Sequence, residues 1–139
     1  MSTTNKIKVG DSYSFSFSFS QEDVKAFAEV SGDKNPIHLD ADYAAQTLFK
    51  RPIMHGFLGG SVLSKIFGTM FPGEGTIYLR QNLEFLRPMF VDVEYEATVE
   101  VKEVDSDRHR GILITQIKDV EKGKVTIKGE AELMHNERF

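Results

Sequence analysis

In the first thirty residues, the pattern of apolar and polar positions changes from a period of two to a helical period. From Tyr13 to Ser20 an aromatic residue occupies every second position, with a serine at each position between. A period of two places the aromatic rings on one face, which predicts a half-buried strand over residues 13–19. Ser20 and Asp23 then resemble a capping box, and apolar residues at helical spacing predict a short helix over residues 21–30.

The middle of the chain contains one long, nearly uncharged apolar segment. Residues 56–71 carry a single charged side chain, that of Lys65. As a helix the segment would be about 24 Å long and apolar on almost every side, which is typical of a central helix surrounded by other structure. The glycines at 59, 60 and 68 would weaken such a helix, so they indicate close packing or a ligand.

In the second half of the chain, apolar and polar residues alternate with a period of two in several separate runs. These runs cover residues 77–85, 93–101, 112–120 and 125–133. Most have one polar face, as in an antiparallel sheet with one side on a core. One apolar helix and about five strands therefore predict an α+β fold in which an antiparallel sheet is wrapped around the helix. A length of 139 residues suits a single domain over 1–139, with 1–6 as a flexible tail.

Composition narrows the function classes. There are 17 Lys and Arg against 21 Asp and Glu, a net charge of −4, so nucleic acid is a poor partner. No cysteine is present, which excludes thiol chemistry and fits a reducing compartment such as the cytoplasm. No stretch approaches the roughly 18 apolar residues of a membrane helix. The 11 phenylalanines indicate an aromatic core, with Phe57, Phe67, Phe71 and Phe85 expected around the helix.

Candidate chemistry is concentrated in the loop over residues 31–38. Asp33 and His38 lie five positions apart, and a carboxylate near an imidazole can orient it and form an acid/base pair. Asn35, between them, could hydrogen-bond the loop backbone or orient a ligand. The same residue types also occur in ordinary turns, so the loop alone leaves both interpretations open. Beyond it, Asp40 predicts the N-cap of a short helix over residues 41–48.

A second candidate lies where the apolar helix begins. The first backbone N–H groups of a helix have no partner, so the N–H of Gly56 could stabilise a developing oxyanion. Alternatively, Gly56 only allows a tight turn after Arg51-Pro52. Ser61 has no Gly-x-Ser-x-Gly frame around it, so a packing role is favoured over a nucleophile. The histidines lack metal-ligand spacing, and no metal site is predicted. Nothing in the sequence selects among Arg51, Lys65 and Arg80 as contacts for the phosphates of a large acyl carrier.

These residues carry a family resemblance. Residues 27–38, FAEVSGDKNPIH, followed after five residues by Ala44, resemble the signature of (R)-specific enoyl-CoA hydratases. Those enzymes are MaoC-like dehydratases with the hot-dog fold. Residues 53–56, which lead to Ser61, and residues 75–79 are also similar, and the likeness extends over about residues 8–134.

The resemblance implies a reaction and roles for the candidate residues. Family members reversibly hydrate a trans-2-enoyl-CoA to the (R)-3-hydroxyacyl-CoA without a metal or redox cofactor, and are usually dimers. By resemblance Asp33 and His38 are the catalytic pair that activates water, and Gly56 supplies the N–H that receives charge from the thioester oxygen. Asn35 resembles an amide that orients the loop, and Ser61 a serine that supports the pair. The implied partners are an acyl-CoA thioester and a second copy of the chain.

The sequence leaves two other functions open. A hot-dog acyl-CoA thioesterase would release free thiol, and a non-catalytic acyl-CoA-binding module would bind without turnover. The intact set of Asp33, Asn35 and His38 argues against the binding module, because binding alone does not require it. Gly59 and Gly60 are smaller than the family pattern suggests, so acyl-chain preference does not carry over by analogy.

Overall fold

One antiparallel sheet packed on one long helix forms the architecture in the computed structural model, which describes residues 5–139. The strands are β1 (Ser12–Phe17), β2 (Ile77–Gln81), β3 (Glu84–Phe85), β4 (Tyr95–Asp105), β5 (Arg110–Asp119) and β6 (Val125–Met134). The helices are α1 (Gln21–Ser31), α2 (Pro36–Leu39), α3 (Ala41–Ala45) and α4 (Gly56–Thr69). The strand order is β1-β4-β5-β6-β2, and β3 also pairs with β6. This confirms the predicted α+β fold.

The core lies between α4 and the inward side of the central strands. The buried residues of α4 are Leu58, Gly59, Val62, Leu63, Ile66 and Phe67. They share one apolar cluster with the alternating inward residues of β4 and β5, which are Tyr95, Ala97, Val99, Val101, Leu113 and Ile117. A Cβ at Gly59 would lie 2.9 Å from the Met89 sulfur, so close packing accounts for this glycine.

Helix α4 is central and packs on the sheet, as predicted, but one side of it is uncovered in a single chain. Phe57 is 70% exposed, and Ser61 and Lys65 also face outward. The predicted strand over residues 77–85 is divided into β2 and β3. Most of its apolar residues are exposed, for example Phe85 at 49%, whereas Leu83 is partly buried and packs against the core. Strand β2 is an edge strand of the sheet. An alternating pattern indicates which residues share a face, but not whether other parts of the protein cover that face.

The N-terminal half carries the short elements that position the loop over residues 31–38. Ser20 and Asp23 form the predicted capping box of α1, and Gly32 ends this helix in the left-handed conformation at φ 82°. Helix α3 ends at Ala45 and is shorter than predicted. Most of the predicted tail, residues 1–4, lies outside the described residues. Over residues 5–139, no helix combines the length and apolarity needed to span a bilayer.

Candidate active site

A one-turn helix presents His38. Asp33 Oδ1 accepts the Asn35 N–H at 3.2 Å, and Asn35 Oδ1 accepts the Ile37 N–H at 3.1 Å, which makes Asn35 the N-cap of α2. Pro36 occupies the first helical position, where its missing N–H costs no hydrogen bond. Sequence reasoning used Pro36 only as the end of α1 and therefore missed α2. Of the two roles considered for Asn35, the structure places it in the first, as a bond to the loop backbone.

His38 is held in a defined protonation state. Its side chain is buried, and Nδ1–H donates to the Ile53 carbonyl at 2.7 Å. Because a carbonyl only accepts, Nδ1 carries the proton in the neutral ring and Nε2 keeps a lone pair. Burial lowers the pKa of His38, aided by the nearby His55, while the Ile53 bond and Asp33 oppose the shift. The lowered pKa favours the neutral ring, whose free Nε2 lies 3.9 Å from Asp33 Oδ2.

His55 is the residue that sequence reasoning missed. Its ring is stacked on that of His38, with centroids 3.8 Å apart, and also contacts Phe27 at 4.8 Å. Its Nε2–H donates to the backbone carbonyl of Asp33 at 2.9 Å, so one buried side chain supports both members of the pair. The sequence offered two signals, the position of His55 next to Gly56 and its place in residues 53–56, which resemble the family. Its contacts join segments far apart in the chain.

The start of α4 leaves a backbone donor free. No side chain caps this end, and none of the hydrogen bonds among residues 5–139 uses the Gly56 N–H. A Cβ at this position would lie 2.7 Å from the Phe85 ring. Gly56 therefore leaves room both for the ring and for a ligand atom that approaches the N–H.

His38 and Gly56 line one mostly apolar cavity of about 480 Å³. Its other walls are Phe49, Ile53, Met54, Phe57, Phe85, Leu86, Arg87, Pro88, Met89 and Ile127. An apolar chamber with a few convergent polar groups suits a substrate that has an apolar chain and one reactive carbonyl. Of the Asp33–His38 pair, His38 lines the cavity and Asp33 lies beside it, 3.9 Å from His38 Nε2. A water held by the pair would therefore be close to a carbonyl compound bound in the cavity.

Ser61 lies elsewhere. Its hydroxyl donates to the Leu58 carbonyl at 2.6 Å, and its side chain lines a second cavity, bordered by Gly60, Tyr78 and Leu83. Phe57 borders both cavities. Within one chain the fold therefore brings Asp33, His38 and Gly56 together and leaves Ser61 apart.

Asp33, His38 and His55 are also the residues that a metal ion would use, because one potential ligand atom of each lies within 4.8 Å of the others. Two of the four ring nitrogens already donate to backbone carbonyls. The two imidazoles are stacked with an interplanar angle of 28°, whereas the ligands of a structural zinc site are arranged tetrahedrally around one centre. The arrangement suits proton transfer better than metal binding.

The chain is similar to known proteins over most of its length. The family model of the MaoC-like domain matches residues 3–129. The (R)-specific enoyl-CoA hydratase of Aeromonas caviae is 41% identical over 129 residues, which is 93% of this chain and 96% of the relative. The enzyme of the same name from Rhodospirillum rubrum is 38% identical over 128 residues, covering 92% of this chain and 88% of the relative.

Solved structures give the same result. The (R)-hydratase from A. caviae involved in PHA biosynthesis superposes with a TM-score of 0.89 at 41% identity, covering 93% of this chain and 97% of that chain. An unliganded R-hydratase from Pseudomonas aeruginosa gives a TM-score of 0.89 at 41% identity, covering 95% of this chain and 84% of that chain. The expected hot-dog fold is confirmed. Because the family model covers most of the chain and a relative is 41% identical over 93% of it, the chain belongs to the family of MaoC-like dehydratases.

Proposed function

We propose that the protein is an (R)-specific enoyl-CoA hydratase, which reversibly adds water to a trans-2-enoyl-CoA and yields the (R)-3-hydroxyacyl-CoA. One observation carries the mechanism: a buried, neutral His38 has its free Nε2 3.9 Å from Asp33 Oδ2, at a cavity that also contains Gly56. The relatives of that name, matched over nearly their full length, support the substrate class.

We assign the activation of water to Asp33 and His38. A separation of 3.9 Å lets one water oxygen lie within hydrogen-bond distance of both groups. The pair takes one proton from this water as its oxygen attacks the β-carbon, and the pair gives one proton to the α-carbon on the same face. The double bond thus gains one hydroxyl and one hydrogen, and the pair returns to its starting state. The lowered pKa of His38 supports its role as base, because it favours the unprotonated ring.

The positioning roles follow from the same arrangement. Attack on the β-carbon transfers charge to the thioester oxygen, and the free N–H of Gly56 at the positive end of α4 is suited to receive it. Asn35 acts indirectly, because its cap holds the turn that carries His38.

We also propose a homodimer, formed through the uncovered apolar side of the molecule. Phe57 and Phe85 are exposed, with their rings 5.8 Å apart, and Ile77 on the outer strand β2 is 50% exposed. An outer strand and a group of apolar side chains are features that a second copy would cover. Ser61 faces outward on the same helix, so its positioning role would depend on that second copy. The lack of cysteine supports a cytoplasmic location.

A hydration assay tests the function directly. Adding the protein to crotonyl-CoA is expected to lower the enone absorbance, and chiral chromatography of the product should give the (R)-enantiomer. A thiol-trapping dye run in parallel distinguishes a thioesterase, because only hydrolysis releases free CoA. Binding that raises the melting temperature without forming either product would favour a non-catalytic module and contradict the proposal.

His55 is expected to act as a positioning residue. His55→Phe keeps an aromatic ring against His38 but removes the donor to the Asp33 carbonyl, so kcat should fall about tenfold to a hundredfold. The acid limb of the pH–rate profile should also move to higher pH. The second imidazole helps lower the pKa of His38, and without it His38 is protonated, and inactive as a base, at a higher pH.

Two further measurements separate positioning from stability. His55→Gln retains a donor and is expected to recover part of kcat. Melting temperatures of both variants show whether the fold is intact. A His55→Phe protein that is folded and has an unchanged kcat and pH profile would contradict this role.

A further inference from the structure

We propose that a cationic cavity beside the candidate active site binds the phosphate groups of the CoA nucleotide. The cations on its wall are Arg51, Arg87, Lys122 and Lys124. This inference rests on the proposed function, because it locates the part of the acyl-CoA that lies farthest from the thioester. It also favours free CoA over a carrier protein as the group that presents the acyl chain.

The cationic cavity lies directly beside the cavity of the candidate active site. It has a volume of about 450 Å³ and shares Arg87 and Pro88 with the cavity that holds His38 and Gly56. A ligand whose thioester lies at Gly56 can therefore extend past Arg87 into the second space. An acyl-CoA has this form, with an apolar acyl group at one end and phosphates at the other.

The charge distribution is the second argument. Over residues 5–139, none of the four cations lies within 4.0 Å of a carboxylate oxygen. Elsewhere the arginines at 80, 108 and 110 each form such a pair, at 3.0, 3.8 and 3.5 Å. The wall also includes Asp119 and Glu121, so four cations face two carboxylates in a chain of net charge −4. This local positive excess suits a phosphate ligand.

The two arginines are already oriented. Arg87 Nη1 donates to the Val125 carbonyl at 2.6 Å, and the Arg51 guanidinium lies over the Phe90 ring, 3.9 Å from its centroid. Each guanidinium has five N–H donors, so these contacts restrain the groups while leaving donors for phosphate oxygens. Lys65 and Arg80, the other cations considered from sequence, are placed differently: Lys65 lies over the Phe15 ring, and Arg80 pairs with Glu132.

Comparing ligands with and without phosphates tests the inference. By titration calorimetry, the wild-type protein is expected to bind CoA about tenfold more tightly than pantetheine, because phosphates add charge-assisted hydrogen bonds. The double variant Lys122→Gln/Lys124→Gln should lose most of this difference, as should Arg87→Gln. The matched control is Lys25→Gln/Lys102→Gln, which removes two exposed cations outside the cavity and should retain the difference.

Turnover provides a second readout. In the Lys122→Gln/Lys124→Gln protein, KM for crotonyl-CoA is expected to rise about tenfold at unchanged kcat, while KM for crotonyl-pantetheine stays constant. An equal rise for both substrates, or no rise for either, would overturn the inference. The inference would also be overturned if the wild-type protein bound CoA no more tightly than pantetheine. The same holds if, in addition, it hydrated crotonyl thioesters only on acyl carrier protein. Charge-dependent CoA binding without hydration would instead uphold the cavity and reject the proposed function.

Discussion

Asp33→Asn and His38→Ala are each expected to lower kcat for hydration of crotonyl-CoA by about 10²- to 10⁴-fold, the range typical of a lost acid/base group. The two side chains would hold the same water. Losing either one leaves that water without its base or without its second hydrogen-bond partner. Asp33 is half-exposed, and its Asn replacement still offers Oδ1 to the Asn35 N–H. The loop should therefore retain its shape, and the loss should be confined to the chemistry.

Matched variants distinguish chemistry from folding. Asp42→Asn removes an exposed carboxylate from the neighbouring helix α3 and should leave kcat unchanged. His38→Asn retains an amide that can donate to the Ile53 carbonyl, so it serves as a better-folded companion to His38→Ala. All proteins would be compared by enone absorbance and by thermal melting. A folded Asp33→Asn or His38→Ala enzyme with full activity would refute the assigned roles.

Gly56→Ala is expected to lower kcat/KM about tenfold to a hundredfold, because the new methyl group would block access to the Gly56 N–H. In other enzymes, removal of one oxyanion-hole donor lowers kcat about 10²- to 10³-fold. The new Cβ would lie 2.7 Å from the Phe85 ring and beside the N–H proposed to contact the thioester oxygen. Because Phe85 is a half-exposed side chain, the ring can move aside, but it borders the same cavity and would displace the acyl group. Steady-state kinetics with crotonyl-CoA measure the effect.

Gly68→Ala is the control for the Gly56 variant, because it lies in the same helix and its Cβ would meet no atom within 4 Å. It should keep full activity and stabilise the fold by about 0.5–1 kcal/mol, as expected when alanine replaces glycine in a helix. A Gly56→Ala enzyme with wild-type kcat/KM would contradict the oxyanion role. A lowered melting temperature with normal activity would assign Gly56 to packing alone.

Features that depend on neighbouring residues could be predicted from the sequence. The capping box of α1 joins Ser20 to Asp23, three positions apart, and strand β4 buries alternate residues from Tyr95 onward. The Asp33–His38 loop belongs to this class, because Gly32, Asn35 and Pro36 shape it through contacts within a few residues. The hydrophobic periodicity likewise predicted the fold class, and the family resemblance of residues 27–38 predicted the reaction, since both are properties of the chain itself.

Features that depend on distant residues required the tertiary structure. The protonated nitrogen of His38 is chosen by the carbonyl of Ile53, and the support of Asp33 comes from His55 across α1 and α4. Phe57 on α4 and Phe85 on β3 are exposed, and no local pattern indicates which side of an element is covered. The sequence by itself thus determined which groups can react. Packing between separated segments decided their protonation, their neighbours and the cavities they share, because burial and electrostatic fields arise only when those segments come together.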